Sequence, residues 1–392
     1  MRRKDSPIPA KPYPDFPLFY HHCGQWAKKI KGKIRYFGID AKEAVKLYLQ
    51  ERDQLLAGVD PKRDSATVGN AVNWFLAAKE SQVRAGDITQ RSWRDYSLTG
   101  DRIIKQLGRQ TFCDDLTPAH FDILRDHFAA GSGPVTLGGH VRRTRIIFKW
   151  AVDNEYLERP VRMGTGFKVP AKRLLRAARQ AASSKMFEAA EVRSMLEHAS
   201  PTIRAMILLG INCGFGNTDV AGLPLSAVDL KAGWVNWPRP KTAVERRCPL
   251  WSETVKALKE AKRPRPALDG DANLVFLTRA GHRWVRTKDG GDGKPGLPLD
   301  ALSQAFRKLL TACGIDRPGV GFYALRHTFR TIADSSRDFP AINRIMGHAD
   351  NSIADLYRER IDDYRLSAVV EIVRKWLFPA KPKKKKSKKS AD

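Results

Sequence analysis

The sequence predicts a mainly α-helical protein with small β elements: an N-terminal β-hairpin unit, a helical bundle and a mixed α+β unit. Three observations carry this. Apolar residues recur at three- and four-residue spacing through most of 68–156, and again over 188–212 and 300–377. Clear alternation is confined to short stretches near 26–38 and 233–250. Breaks at 57–67, at Gly131-Ser-Gly-Pro134 and over 157–185 separate the periodic segments.

Residues 1–17 are proline-rich and read as extended. In Trp26-Ala-Lys-Lys-Ile-Lys-Gly-Lys-Ile-Arg-Tyr-Phe-Gly38, Ile30 and Ile34 flank a Lys31-Gly32 turn. This predicts a hairpin with one aromatic–aliphatic face and one basic face formed by Lys28, Lys29, Lys31, Lys33 and Arg35. A helix follows at about 42–56, which bounds a first unit at 1–60. A basic sheet packed on a helix can enter a DNA groove, and it can equally be structural.

Four helices are expected over 66–156. The fourth, at about 136–154, interleaves Arg142, Arg143, Arg145 and Lys149 with Ile146, Ile147, Phe148 and Trp150. Such a helix can pack on its neighbours and still reach phosphate, although a solvated basic face has the same pattern. Residues 157–185 read as a basic linker. A second globular unit runs from 186 to 380, with helices at 188–198 and 201–212. Strands at 233–238 and 245–250 join through a turn at Lys241-Thr242. A short buried strand is expected at 274–277, a loop at 286–298, and helices near 300–313, 323–335, 339–346, 351–357 and 365–377. The lysine-rich tail, 381–392, is expected to be disordered.

Charge narrows the function. The chain of 392 residues carries 70 Lys and Arg against 42 Asp and Glu, a net charge of +28. Seven of those lysines lie in 381–389, so the body is itself basic. A field of that sign attracts polyanions, nucleic acid first among them. No stretch approaches the roughly 20 apolar residues of a membrane span, and no secretory signal follows the basic N-terminus. Five scattered cysteines without a CxxC pair argue against a disulfide framework or a zinc site, and fit a reducing cytoplasm.

Chemistry concentrates in Phe322-Tyr-Ala-Leu-Arg-His-Thr-Phe-Arg330, then Ile345-Met-Gly-His-Ala-Asp350, then Asp355-Leu-Tyr-Arg-Glu359. Arg326 offers a guanidinium suited to bidentate contact with phosphate. His348 offers an imidazole, and Tyr357, nine residues later, a phenol able to attack phosphorus. Together they suit metal-free phosphoryl transfer, although each residue alone is more often structural.

The run Ala324-Leu-Arg-His-Thr-Phe, followed by Met-Gly-His and then Tyr, resembles the signature of the tyrosine recombinases, the phage integrase family. The resemblance extends in weaker form over the whole chain. It implies an arm-type DNA-binding unit at 1–60, a helical, SAM-like core-binding domain at 66–156 and a catalytic domain from 186. Tyr357 would be the nucleophile that forms a 3′-phosphotyrosine link. Arg326 would clamp the scissile phosphate, with His348 and Tyr323 beside it; Tyr323 stands where the family usually has His. Lys241, in a Lys-bearing hairpin, would protonate the departing 5′ oxygen. No cofactor or metal is implied.

The family's first arginine lies in a Gly-Leu-Arg-x-x-Glu segment. Here the matching segment is Gly214-Phe-Gly-Asn-Thr-Asp219, with Gly216 at the arginine position. Asn217, Arg330 and Arg239 are the groups placed to compensate. The resemblance implies integration or excision of a mobile element by strand cutting and rejoining; the alternative is a weak or inactive DNA-binding relative that acts as an accessory or regulatory factor. Expected partners are double-stranded DNA, a homotetramer on paired sites and an accessory DNA-bending or directionality factor, with no membrane. The expected location is cytoplasmic, on the bacterial nucleoid when bound to DNA. In the tetramer the C-terminal segment would reach a neighbouring protomer, a role that the amphipathic helix at 365–377 suits; packing on its own domain is the other option.

Overall fold

A computed structural model of the chain describes residues 9–21, 24–57, 66–261, 271–288, 296–349, 352 and 357–379. Internal contacts divide the chain into two units, Met1–Leu175 and Arg176–Asp392.

In the first unit, β1 (Phe19–Tyr20), β2 (Trp26–Ile30) and β3 (Lys33–Gly38) form an antiparallel sheet in that order. Lys31 and Gly32 both take positive φ, 45° and 81°, as a two-residue hairpin turn requires. Asp40 accepts from the amides of Lys42 and Glu43 at 3.0 Å and starts α1 (Ala41–Ala57). Phe16, Trp26, Ile30, Phe37, Ala44 and Tyr48 form the core of this part.

The expected division into an apolar and a basic face is corrected. Period two puts Lys28 on the same side as Trp26 and Ile30, and its ammonium lies 5.8 Å from the Tyr48 ring. Ile34 and Tyr36 face outward on the side that carries Lys29. Each face therefore mixes aromatic and basic residues.

Four helices follow: α2 (Val68–Ala85), α3 (Gln90–Leu107), α4 (Pro118–Ala129) and α5 (Pro134–Asp153). Thr67 and Asn70 cap α2 reciprocally, and Thr89 accepts from the Ser92 amide at 3.2 Å to cap α3. Proline opens α4 and α5, where its missing N–H costs nothing. Helices α2 and α3 approach so closely that a Cβ on Gly100 would lie 2.6 Å from Val72 Cγ1. Phe75, Phe121, Phe128, Val141 and Phe148 fill the core between the helices.

His140 on α5 is buried, within 3.0 Å of Thr99 Oγ1 and stacked on Phe128. Burial, then repulsion from Arg102 and Arg143, pushes its pKa down from 6.5 to about 4. An unfolded chain therefore takes this proton more readily than the folded one. The stabilisation is complete above pH ~6.5 and is lost as pH falls towards 4. Hydrogen exchange of α3 and α5 amides in the full chain is expected to report more frequent opening across that window, and a smaller change in His140→Gln. Equal pH dependence in the two proteins would show that His140 is not the cause.

The segment expected as a linker is structured in part. Leu157 and Phe167 are buried in the helical core, and the Phe167 carbonyl accepts from the Arg145 guanidinium. Helix α6 (Lys172–Ala181) buries no side chain, and the division between the units falls within it.

The second unit opens with α7 (Ala189–His198) and α8 (Pro201–Asn212). Most of α8 is buried on all sides, which explains its nearly continuous apolar run. At its end Asn212 is fully buried. Its side chain accepts from Trp251 N and Thr254 Oγ1 at 2.9 Å and donates to the Pro249 carbonyl at 3.0 Å. This satisfied amide ties α8 to the next sheet and helix. A short α9 (Asn217–Ala221) precedes a sheet of β4 (Val228–Asp229), β5 (Trp234–Asn236) and β6 (Arg247–Pro249), antiparallel in that order. Then come α10 (Ser252–Ala261), the pair β7 (Val285–Lys288) and β8 (Leu297–Asp300), α11 (Ala301–Ala312), α12 (Ala324–Ala333), α13 (Phe339–Met346) and α14 (Asp363–Leu377).

Three expectations are corrected. Leu274, Phe276 and Leu277 are buried but the segment forms no strand; Leu274 makes an isolated bridge with Pro224, and the Val275 amide donates to Leu223 O at 2.9 Å. The ends of the expected loop at 286–298 pair as β7 and β8, from Val285↔Asp300 to Lys288↔Leu297. Its glycine and charge content concealed a two-stranded pairing, in which local composition matters less than cross-strand partners. Finally, α14 packs within its own unit. Leu366, Val369, Val370, Val373 and Leu377 join the core, and Trp251 Nε1 donates to Val370 O at 3.1 Å. Arg374 pairs with Glu253 at 2.7 Å. The apolar face offered to a neighbouring protomer is thus already used.

The helix expected over 351–357 and the tail 381–392 lie outside the described residues, apart from Ser352 and Tyr357. No helix among the described residues is long and apolar enough to cross a membrane.

Candidate active site

Helix α12 carries Arg326 into the core on its buried face. Arg326 is 2% exposed, and its guanidinium donates to the carbonyls of Gly214 and Met346, the latter at 2.9 Å. It also lies 2.6 Å from His348 Nε2. An arginine can only donate, so His348 must accept with a neutral ring whose proton sits on Nδ1. The electrostatics agree. Burial, then the charges of Arg326, Arg239 and Arg330, push His348 down to about 4. Burial, then repulsion from Arg239, lowers Arg326 to about 10.

Gly347 closes α13 in the left-handed region, φ 65°, and turns the chain so that His348 meets Arg326. The loop between β5 and β6 docks on this glycine. Thr242 Oγ1 donates to its carbonyl at 3.2 Å and Arg239 Nη1 reaches the same oxygen at 3.5 Å. A Cβ on Gly347 would lie 2.7 Å from Arg246 Cγ and Cδ and 2.9 Å from Arg239 Cβ. Only glycine lets the loop sit here, and Lys241 on the same loop is exposed.

Arg246 was not among the residues selected from sequence. It is 2% exposed, its Nη1 lies 3.1 Å from Asp219 Oδ1, and its guanidinium stacks between Phe215 and Trp237. The ion pair is close but not aligned as a hydrogen bond; Nε donates to Trp237 O at 3.1 Å. Burial lowers the Arg246 pKa and Asp219 opposes the shift. Strand alternation could have revealed this residue, because it shares a face with buried Cys248.

Gly216 starts α9, and its amide donates to Asp219 Oδ2 at 2.9 Å. A Cβ there would lie 3.0 and 3.1 Å from the Tyr323 ring, so that ring fills the space a side chain at 216 would need. Of the compensating candidates, two are engaged elsewhere. The Asn217 amide donates to Asp300 Oδ2 at 3.1 Å and Ser303 Oγ at 2.9 Å. Arg330 pairs with Asp334 at 2.9 Å and donates to Asn343 at 3.1 Å. Arg239 stays beside Arg326 and His348. Tyr357 is 81% exposed, and no contact joins it to Arg326 or His348 among the described residues.

The basic residues of the first unit are placed unevenly. On α5, Arg143 pairs with Asp95 at 3.0 Å, Lys149 pairs with Asp153 at 2.8 Å, and Arg145 is spent on Phe167 O; Arg142 is exposed. In the hairpin, Lys29 and Lys31 are exposed, Lys28 and Arg35 are partly buried, and Lys33 opens β3. No cluster of three or more metal-ligating side chains occurs among the described residues.

Residues 185–363 match the model of the phage integrase family. Tyrosine recombinase XerC of Pseudomonas entomophila (strain L48) is 28% identical over 192 residues, which is 47% of this chain and 54% of that protein. XerC of Pseudomonas putida is 28% identical over 188 residues, with the same coverage. The chain thus spans about half the length of the curated relatives it matches. The fold resembles a lambda integrase dimer bound to a COC′ core site, with TM-score 0.55, 14% identity, and coverage of 92% of this chain and 98% of that one. It also resembles the Tn1549 transposon integrase in complex with transposon right end DNA, with TM-score 0.56, 14% identity and coverage of 79% and 100%. Residues 185–363 thus match the phage integrase family, and the fold is one shared with the lambda and Tn1549 integrases.

Proposed function

We propose that this protein is a site-specific DNA recombinase that integrates or excises a mobile element through a 3′-phosphotyrosine intermediate. The observation that carries the reading is the group of buried Arg326 with partly buried His348 and Arg239 gathered on the end of α13. Among the described residues, three guanidiniums, counting Arg246, stand near one carboxylate, Asp219. Buried like charges favour an incoming anion, and a phosphodiester supplies one.

Tyr357 Oη bonds to the scissile phosphorus and its exposed phenol gives its proton to water, because the one unprotonated nitrogen of His348 is taken by Arg326. The bond from phosphorus to the 5′ oxygen breaks, and Lys241 Nζ gives that oxygen a proton. Arg326 neutralises charge on the non-bridging oxygens as it grows. Rejoining reverses each transfer, so no external energy source is needed. Double-stranded DNA is the substrate, and a tetramer on paired sites is the working assembly. The basic residues Lys28, Lys29, Lys31, Lys33, Arg35, Arg142, Arg143, Arg145 and Lys149 are the proposed DNA contacts outside the site. A lambda integrase tetramer bound to a Holliday junction has a similar fold, with TM-score 0.54 at 14% identity.

A second reading is a DNA-binding relative that no longer cuts. Gly216 at the first arginine position favours it. A duplex carrying the recognition site and a nick next to the cleavage point separates the two, because loss of the short product traps the covalent complex. A protein–DNA adduct that survives denaturation supports the recombinase; tight binding with no adduct leaves the second reading.

A further inference from the structure

The recombinase reading leaves one charge unaccounted for: the phosphorane needs a second guanidinium, and position 216 has no side chain. The space beside Gly216 is filled by the Tyr323 ring, so the replacement must come from another direction. Asn217 and Arg330 are held by Asp300, Ser303, Asp334 and Asn343. Arg246 is locked between two aromatic rings against Asp219.

Arg239 differs from all of these. Its side chain is partly exposed, and no carboxylate of the described residues pairs with it. Its contact with Gly347 O, at 3.5 Å, is at the limit of a hydrogen bond. Arg326 donates to the preceding carbonyl, that of Met346. The two guanidiniums therefore rest on consecutive carbonyls, next to His348. The position is built, because Gly347 has no Cβ and the Arg239 Cβ occupies that space. We infer that Arg239, delivered from the hairpin loop, is the second phosphate-binding guanidinium and replaces the side chain absent at Gly216.

This inference rests on the recombinase reading, and the experiment separates the two. Covalent trapping is measured with two nicked duplexes, one with a normal scissile phosphate and one with a methylphosphonate there. The methylphosphonate lacks one negative charge, so it needs one cation fewer. On the phosphodiester, Arg239→Ala is expected to trap about 100-fold more slowly than wild type or worse, with an unchanged melting temperature and a loss of duplex affinity far smaller than the loss of rate. On the methylphosphonate the deficit is expected to shrink at least tenfold. Arg239→Gln is expected to behave similarly and Arg239→Lys to fall between, which keeps the test open if the alanine variant folds poorly. Trapping within threefold of wild type overturns the inference, as does an equal deficit on both substrates, which marks a structural role. If wild type traps neither duplex, the recombinase reading fails and this inference falls with it.

Discussion

Tyr357→Phe is expected to abolish the covalent protein–DNA adduct while leaving binding and folding unchanged. The variant loses one oxygen, the atom proposed to bond to phosphorus, and no remaining group replaces it. Loss of a nucleophile of this kind costs on the order of 10⁴-fold or more in rate. The side chain is 81% exposed and lies outside the core, so stability should stay within about 0.5 kcal/mol of wild type. Tyr364 is the informative control. It lies on the first turn of α14, is 72% exposed and is also a free phenol by exposure. Tyr364→Phe should trap DNA as wild type does. Mass spectrometry of the adduct should find the nucleotide on the peptide that contains Tyr357. If Tyr364→Phe removes the adduct instead, the nucleophile has been misassigned.

Asp219→Ala is expected to give the largest loss of stability among changes near the site. It removes the only carboxylate of the described residues paired with the buried Arg246 guanidinium. The Arg246 side chain is 1% exposed and that of Asp219 is 11% exposed, so water cannot replace the lost charge. Removing one partner of a buried pair costs about 3–5 kcal/mol. The Gly216 amide also loses its acceptor at the start of α9. Urea or thermal unfolding of the full chain, followed by signals from the second unit, measures the effect. Asp219→Ala with Arg246→Met should recover most of the loss, because an apolar side chain then fills the slot between Phe215 and Trp237. A loss below about 1 kcal/mol for the single change would show that the pair is hydrated in solution.

Much of the fold was legible because helices announce themselves by apolar spacing. Most of the described helices fall close to their expected positions, α6 and α9 excepted, and Thr67, Thr89, Pro118 and Pro134 mark starts that local chemistry alone can specify. What pattern does not encode is the partner. The apolar face of α14 had to be covered, but its spacing is the same whether the cover is its own unit or another protomer. The hairpin shows the same limit. Composition suggested a basic face, while the Lys28 ammonium lies over the Tyr48 ring on the side of Trp26 and Ile30.

The site divides in the same way. Arg326 and His348 were readable from their order, and the structure brings them into contact. The pairing of Asp219 with Arg246 joins segments that sequence reading treated separately. The commitments of Asn217 and Arg330 were likewise invisible, because their acceptors lie on other elements.

Tyr357 also inherits a constraint from the two anchors around it. Gly347 and His348 fix the chain on one side. On the other, Asp363 is held by the Arg247 guanidinium at 2.6 Å and Asp338 holds Arg365 at 2.7 Å. Tyr357 lies six positions before Asp363, a span of roughly 20 Å at full extension. That anchor therefore sets an upper bound on how far the phenol can travel from the Arg247–Asp363 pair.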